Sequence, residues 1–339
     1  MIETMLLCYL CMVSCTDKEN IRPIFSQNEN GESTNATSGH LTIASTIADV
    51  TNHEAFAGFG QFILPTERIS SNKPSLQSVA NLLPYHNYVT AERAVETINT
   101  MIDYVQDGNK LFYDIYPDTE KQADPRKNQT GLFFFRGEPG KPFAIVCPGG
   151  GFSYVGSIHE GFPLAIALSK MGYNAFSIQY RTGGAQVACE DLAQAIDFIM
   201  RNADELQVSP DSYSLWGGSA GARMAAYLGS YSTQGFINAE HPRPSVVIMG
   251  YTSHSEYTRN DPPTYVVIGD NDAIASASVM RRRIENLKSL DIDAEFHLFP
   301  NLRHGFGLGT GTSAENWEKN AVKFWEKYIY RKNGTSYRK

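Results

Sequence analysis

Cysteine is scarce in this chain, and it forms no framework. Of five cysteines, Cys8, Cys11 and Cys15 stand at the extreme N-terminus and only Cys147 and Cys189 lie further on, so a disulfide-stapled domain is excluded. Excess positive charge is missing too: 29 Lys and Arg face 36 Asp and Glu, a formal net charge of −7, which leaves no basic footprint and argues against nucleic acid as a partner. The apolar run Met5 to Val13 is too short to span a bilayer. The histidines lack metal-ligand spacing, since His53, His86, His159, His241 and His254 contain no H-x-x-x-H pattern, and the sequence asks for no metal or cofactor. What is present is a composition of 42% hydrophobic and 12% aromatic residues over 339 positions. That suits a globular protein with a full core, built as one large domain or two ordinary ones.

The N-terminal run reads as a signal-peptide core. Met12-Val13-Ser14-Cys15 resembles a bacterial lipobox, in which the cysteine becomes the lipidated first residue of the mature chain, although Glu3 stands where Lys or Arg is expected. Residues 1–15 are therefore expected to be a lipoprotein signal peptide and residues 16–40, polar and rich in Asn, Ser and Gly, a flexible tether. The expected location is the bacterial cell envelope, lipid-anchored at Cys15 or secreted. Residues 41–108 form a helical or irregular extension, with Val95, Ile98, Ile102 and Val105 as one helical stripe closing at Gly108. This extension either packs on the outside of the main domain or forms a lid.

From 109 to 332 the punctuation is regular. Strands are expected at Leu111 to Tyr116, Leu132 to Arg136, Phe143 to Cys147, Asn174 to Tyr180, Ser212 to Trp216, Ser245 to Gly250, Thr264 to Ile268 and Ala294 to Leu298. Helical stripes run through Leu192 to Ala203, Met280 to Leu287 and Trp317 to Tyr328. The first two strands can pair antiparallel, and the rest alternate with helices. The expected fold class is α/β: an eight-stranded, mostly parallel sheet with helices on both faces, the α/β-hydrolase plan.

Four loops carry the chemistry. Gly217-Gly218-Ser219-Ala220-Gly221 between a strand and a helix has the pattern of a nucleophile elbow, with Ser219 at its tip. Cys147-Pro148-Gly149-Gly150-Gly151-Phe152 ends the third strand with three glycines that free the backbone to aim N–H groups at a developing oxyanion; Gly150, Gly151 and Ala220 are the candidate donors. After the seventh strand come Asp270 and Asp272, of which Asp272 is the better placed to orient an imidazole, while Asp270 suits the turn itself. After the eighth comes His304, the candidate base. The order Ser219, Asp272, His304 is that of α/β-hydrolases and of no other serine-triad fold.

The strings Pro148 to Phe152, His159-Glu160-Gly161-Phe162-Pro163, Ser214 to Ala226 and His304 to Thr312 resemble those of an α/β-hydrolase branch of bacterial esterases that includes hormone-sensitive-lipase-like and carbohydrate acetyl-esterase-like enzymes. The resemblance spans about residues 80 to 330 and implies the fold and hydrolytic chemistry, but little about substrate. Two departures stand out. Pro148 replaces the histidine that precedes the glycines in the lipase-like branch, and Arg223 replaces the glycine or histidine common after the elbow in acetyl esterases.

Candidate substrate contacts are His159 and Glu160 after the glycine loop, with capping of the following helix as the alternative. Arg181 and Arg223 could bind an acidic substrate or an ion pair within the fold, and Tyr251 and His254 follow the sixth strand. The expected activity is a serine carboxylesterase removing short acyl groups, acetyl on a glycan among them. A peptidase of the same fold and a non-catalytic binding lipoprotein are the alternatives. The expected partners are a small-molecule or glycan ester and, through Cys15 alone, a membrane.

Overall fold

The computed structural model describes residues 39–65 and 73–332. The expected signal peptide, Cys15 and all but the last two residues of the tether lie outside the described residues. From Gly39 onward the chain is one compact unit.

Its centre is an eight-stranded sheet: β1 (Phe112–Tyr113), β2 (Gly131–Phe135), β3 (Pro142–Cys147), β4 (Asn174–Gln179), β5 (Ser209–Gly218), β6 (Val246–Gly250), β7 (Thr264–Gly269) and β8 (Ala294–Phe299). The spatial order is β1-β2-β4-β3-β5-β6-β7-β8. β2 runs antiparallel to both neighbours, β1 and β4, and every pairing from β4 through β3 to β8 is parallel. Strands β2, β3, β4, β6 and β7 are buried at every position. This is why Phe-Ala-Ile-Val and Val-Val-Ile-Met read as continuous apolar runs and not as alternations: both faces of the sheet are covered.

The covering helices are α1 (Ile47–Thr51), α2 (Ala91–Gln106), α3 (Asp118–Ala123), α4 (Phe162–Lys170), α5 (Ala185–Arg201), α6 (Ala203–Leu206), α7 (Ala220–Tyr231), α8 (Ala277–Ser289) and α9 (Trp317–Lys332). Many strand ends differ from expectation by a residue, β5 is longer at both ends, and two further differences have a visible cause. β1 stops at Tyr113 because Tyr116 leaves the sheet to bond Asp191 through its hydroxyl at 2.7 Å. Ala203 belongs to the separate helix α6, because the Asn202 side chain bonds the Phe198 carbonyl at 2.7 Å and ends α5 two residues earlier, at Arg201.

The extension is part of the same core. Thr90 caps α2 by accepting the Arg93 N–H, and the buried face of α2, Ala94, Ile98, Met101 and Ile102, joins the sheet core. Phe59 stacks on Phe112 of β1 with ring centroids 5.1 Å apart and meets Phe133 of β2 edge-on. The antiparallel end of the sheet is thus clad in aromatic rings.

Strand order reverses at β3, whose neighbours β4 and β5 lie on opposite sides. The loops leaving the carboxyl ends of β3 and β5 therefore diverge at the topological switch point, where open α/β sheets form their ligand crevice. Those are the glycine loop and the Ser219 turn.

Candidate active site

Ser219 caps α7 with φ +52° and ψ −114°, a strained conformation for a residue bearing a Cβ. Its N–H donates to the Gly250 carbonyl at 2.9 Å. The elbow glycines follow from contact. A Cβ on Gly221 would lie 1.9 Å from the Cys147 carbonyl oxygen, and one on Gly217 would lie 2.4 Å from the Gly221 carbonyl carbon. The turn fits over β3 only because both side chains are missing.

The structure brings Ser219, His304 and Asp272 together. His304 Nε2 is 2.9 Å from Ser219 Oγ, and His304 Nδ1 is 2.8 Å from Asp272 Oδ2. The Asp272 carboxylate is buried and also accepts the Ile274 and Ala275 N–H groups at 2.8 Å each, which locks its orientation. Asp270 instead accepts the Asn301 N–H at 2.6 Å and ties the β8 turn to the β7 turn. An imidazole held on one nitrogen by a carboxylate and facing a hydroxyl with the other can take the hydroxyl proton and keep the resulting cation paired.

Of the candidate oxyanion donors, Gly151 and Ala220 line the cavity beside Ser219. Gly150 lies one residue back, with φ +134°, and a Cβ there would sit 2.1 Å from the Tyr154 carbonyl oxygen. The loop is pinned from three sides: the Tyr180 hydroxyl donates to the Pro148 carbonyl at 2.8 Å, the Gly156 N–H to the Gly149 carbonyl at 2.9 Å, and the Gly149 N–H to Glu160 Oε2 at 2.5 Å.

The cavity, about 320 Å³, is lined by Ser219, Gly151, Phe152, Arg223, Tyr251, Ser253 to Glu256, Ile274 and His304 among others. Arg223, Tyr251 and His254 therefore stand where substrate contacts were expected. Arg223 is exposed and forms no ion pair with any described residue; its guanidinium lies 6.0 Å from the Phe152 ring centroid. His254 meets Tyr227 edge-on at 4.7 Å, and burial, with Arg283 and Arg223 nearby, lowers its pKa to about 3. No described residue of the extension lines this cavity.

Of the candidate substrate contacts, Arg181 takes its ion-pair alternative, and His159 and Glu160 are corrected. Arg181 is buried in an ion-pair cluster, with Nε 3.0 Å from Asp191, Nη1 3.1 Å from Asp124 and Nη2 3.3 Å from Glu190. Its charge is neutralised inside the fold. His159 turns away from Ser219; its Nε2 bonds the Gly305 carbonyl at 3.0 Å, and burial beside His86 lowers its pKa. Glu160 neither lines the cavity nor caps α4. It is buried beneath the glycine loop, Oε1 2.9 Å from His86 Nε2, and the Tyr251 hydroxyl bonds it as well. Burial would raise its pKa, but the His86 ring at 2.9 Å and the Gly149 N–H outweigh burial and hold it at about 2.

His86, with its neighbours Tyr85, Asn87 and Tyr88, is the group that sequence reasoning missed. Asn87 Nδ2 donates to the His304 carbonyl at 2.6 Å, and the Tyr88 hydroxyl accepts the Arg303 N–H at 3.2 Å. The one signal in the sequence is the aromatic cluster Pro84-Tyr85-His86-Asn87-Tyr88, which has no period from which to infer a direction.

Comparison with known proteins finds likenesses in sequence and in fold. The BD-FAE family model matches residues 136–246, a stretch holding the glycine loop and the Ser219 elbow but neither Asp272 nor His304. An acetylxylan esterase of Xylanibacter ruminicola is 21% identical over 221 residues, 56% of this chain and 45% of that protein, so the chain spans about half the length of the curated relative it matches. Among solved structures, an acetyl ester-xyloside bifunctional hydrolase from Caldicellulosiruptor lactoaceticus superposes with a TM-score of 0.52 at 21% identity, covering 58% of this chain and 88% of that one. The propionate-bound esterase Est2 of Thermogutta terrifontis superposes with a TM-score of 0.52 at 18% identity, covering 58% and 89%. A metagenomic enzyme, MGS-M1, gives 0.52 at 23%, covering 59% and 93%. With the eight-stranded sheet, the elbow at its switch point and these likenesses together, the chain has the α/β-hydrolase fold.

Proposed function

We propose that this protein is a serine carboxylesterase that removes short acyl groups by a two-step acyl-enzyme mechanism. Ser219 Oγ attacks the acyl carbonyl as His304 Nε2 takes its proton, and Asp272 holds the imidazole in the required tautomer and pairs its cation. The negative charge that develops on the carbonyl oxygen is met by the N–H groups of Gly150, Gly151 and Ala220. His304 then protonates the leaving alcohol, and water repeats the sequence on the acyl-enzyme. The observation that carries the reading is the unbroken chain of contacts, 2.9 Å from Ser219 to His304 and 2.8 Å on to Asp272, on a serine whose backbone is strained toward the cleft.

The substrate class inferred is an acyl ester, with acetyl groups on a glycan foremost. Its support is the activity for which the Xylanibacter and Caldicellulosiruptor relatives are named and a cavity of about 320 Å³, which has room for a small acyl group and part of its alcohol. The same proposal includes anchoring at Cys15, supported by Met12-Val13-Ser14-Cys15.

The test is hydrolysis of p-nitrophenyl esters of increasing acyl length by the wild type and by Ser219→Ala. Turnover should be fastest on acetate, fall with chain length and drop to the uncatalysed rate in the variant. Undiminished turnover by Ser219→Ala would refute the mechanism, and a preference for aminoacyl amides over esters would replace the esterase with a peptidase.

A further inference from the structure

Behind Ser219, on the side away from the cavity, a buried polar cluster ties the N-terminal extension to the loops around the serine. The Glu160 carboxylate is its hub. One oxygen accepts the Gly149 N–H at 2.5 Å, the other stands 2.9 Å from His86 Nε2, and the Tyr251 hydroxyl donates to the same group. With the Gly149 amide bonded to Glu160, the amides that follow are the ones left for an oxyanion. His86 is fixed in turn: its Nδ1 is 2.9 Å from the Tyr154 hydroxyl, which also accepts the Tyr85 N–H at 3.1 Å, and the imidazole is 1% exposed. The next residue holds the other loop, because the Asn87 N–H donates to the Gly305 carbonyl at 3.1 Å and its side chain to the His304 carbonyl. One four-residue segment, Tyr85 to Tyr88, thus grips the loops after β3 and β8, which come from strands well separated in the sheet.

The glycines supply an independent observation. Gly156 has φ −83°, which any residue can adopt, so its backbone does not demand glycine. A Cβ there would lie 2.7 Å from both Cε1 and Nε2 of His86. At Gly305 a Cβ would lie 2.7 Å from the Tyr85 carbonyl oxygen and 2.8 Å from His86 Cα. The loops of the sheet domain are shaped to receive His86.

We propose that His86 is a positioning residue of the active site: through Glu160 it holds the Gly149–Gly151 loop in register with Ser219, so the extension is a brace for the catalytic loops. This rests on the serine-hydrolase reading above. A carboxylate in a dry site is a strong acceptor only while a cation or donors compensate its charge. Without the His86 ring, burial would favour the neutral acid, which accepts the Gly149 N–H less well, and the loop would loosen.

The test compares His86→Gln, Gly156→Ala, Glu160→Gln and Glu160→Ala with the wild type, each checked for folding by circular dichroism and thermal unfolding. His86→Gln should lower kcat on p-nitrophenyl acetate about 10- to 100-fold, less than deleting an oxyanion donor outright, with KM changed little. Its residual rate should climb with pH where the wild-type rate is level, as Glu160 regains its charge. Gly156→Ala, which leaves every polar group in place but displaces the imidazole, should show a smaller kcat-selective loss. Glu160→Gln, which keeps an acceptor for Gly149, should retain more activity than Glu160→Ala. Folded His86→Gln and Gly156→Ala with wild-type kcat and pH profile would overturn the proposal, and so would a uniform loss with an unaltered profile. Failure of the esterase reading would look different: a wild type with no turnover on any ester. The rate of Ser219 labelling by a fluorophosphonate then serves as the readout, with the order wild type, Gly156→Ala, His86→Gln expected and equal rates contradicting the brace.

Discussion

The two sides of Ser219 are built differently. On one side lies an open cavity whose guanidinium, Arg223, is exposed and pairs with no described carboxylate, and whose wall from Ser253 to Glu256 is a loop. On the other side Glu160, His86 and Tyr154 are packed into a cluster in which carboxylate, imidazole and hydroxyl meet at hydrogen-bond distances, and Tyr251, which also lines the cavity, stands between the two sides. The contrast matches the demands on each side. In the proposed mechanism charge develops toward the glycine loop, where donors are effective only if they are already in place and do not reorganise. In the same proposal the leaving group and the rest of the substrate occupy the cavity, where variety is tolerated and free polar groups are useful.

The difference can be broken from the packed side with large effects and from the open side with small ones. Asp272→Asn should cost the most among variants that keep the nucleophile: the Ile274 and Ala275 N–H groups still find an oxygen, but the imidazole loses its anionic partner and its preferred tautomer. A fall in kcat of roughly 10⁴-fold on p-nitrophenyl acetate is expected, and a loss below about tenfold would show that Asp272 does not orient His304. His86→Gln comes next, at about 10- to 100-fold on kcat, with Gly156→Ala below it. Arg223→Ala, on the open side, should leave the rate on p-nitrophenyl acetate within about threefold, because no bond to Ser219, His304 or the glycine loop is lost. Steady-state kinetics would show this directly, and a collapse of kcat in Arg223→Ala would mean that the open side is no less essential to the chemistry than the packed one.

Much of this architecture is legible in the sequence, for local reasons. Several central strands hold a short apolar run ended by turn residues, so Phe143 to Cys147, followed by Pro148 and Gly149, or Tyr265 to Ile268, followed by Gly269 and Asp270, declares both a buried strand and the loop that follows it. Ser219, Asp272 and His304 are legible because each stands just beyond such a run, in an order tied to one topology. The glycines of the elbow mark close approach of backbone to backbone, which the 1.9 Å separation at Gly221 makes explicit. Contacts made across long stretches of chain are not legible in the same way. Asn87 and His304 are 217 residues apart, and no periodicity near Tyr85 to Tyr88 points toward the β8 loop. Arg181, at the end of a strand on the crevice edge, has the right address for a substrate contact, but Asp191 and Glu190 of the following helix and Asp124 of a distant turn close around it. Gly156 is the instructive case: in sequence it is one more glycine in a loop, and only the His86 ring explains it.

The central claim is that Ser219 is the nucleophile of an assembled triad. The most direct measurement is the intact mass and peptide map of the protein after brief treatment with a fluorophosphonate. A single adduct is expected on the peptide containing Ser219, none in Ser219→Ala and slow formation in Asp272→Asn. An adduct on another residue, or none on a folded wild-type protein, would contradict it.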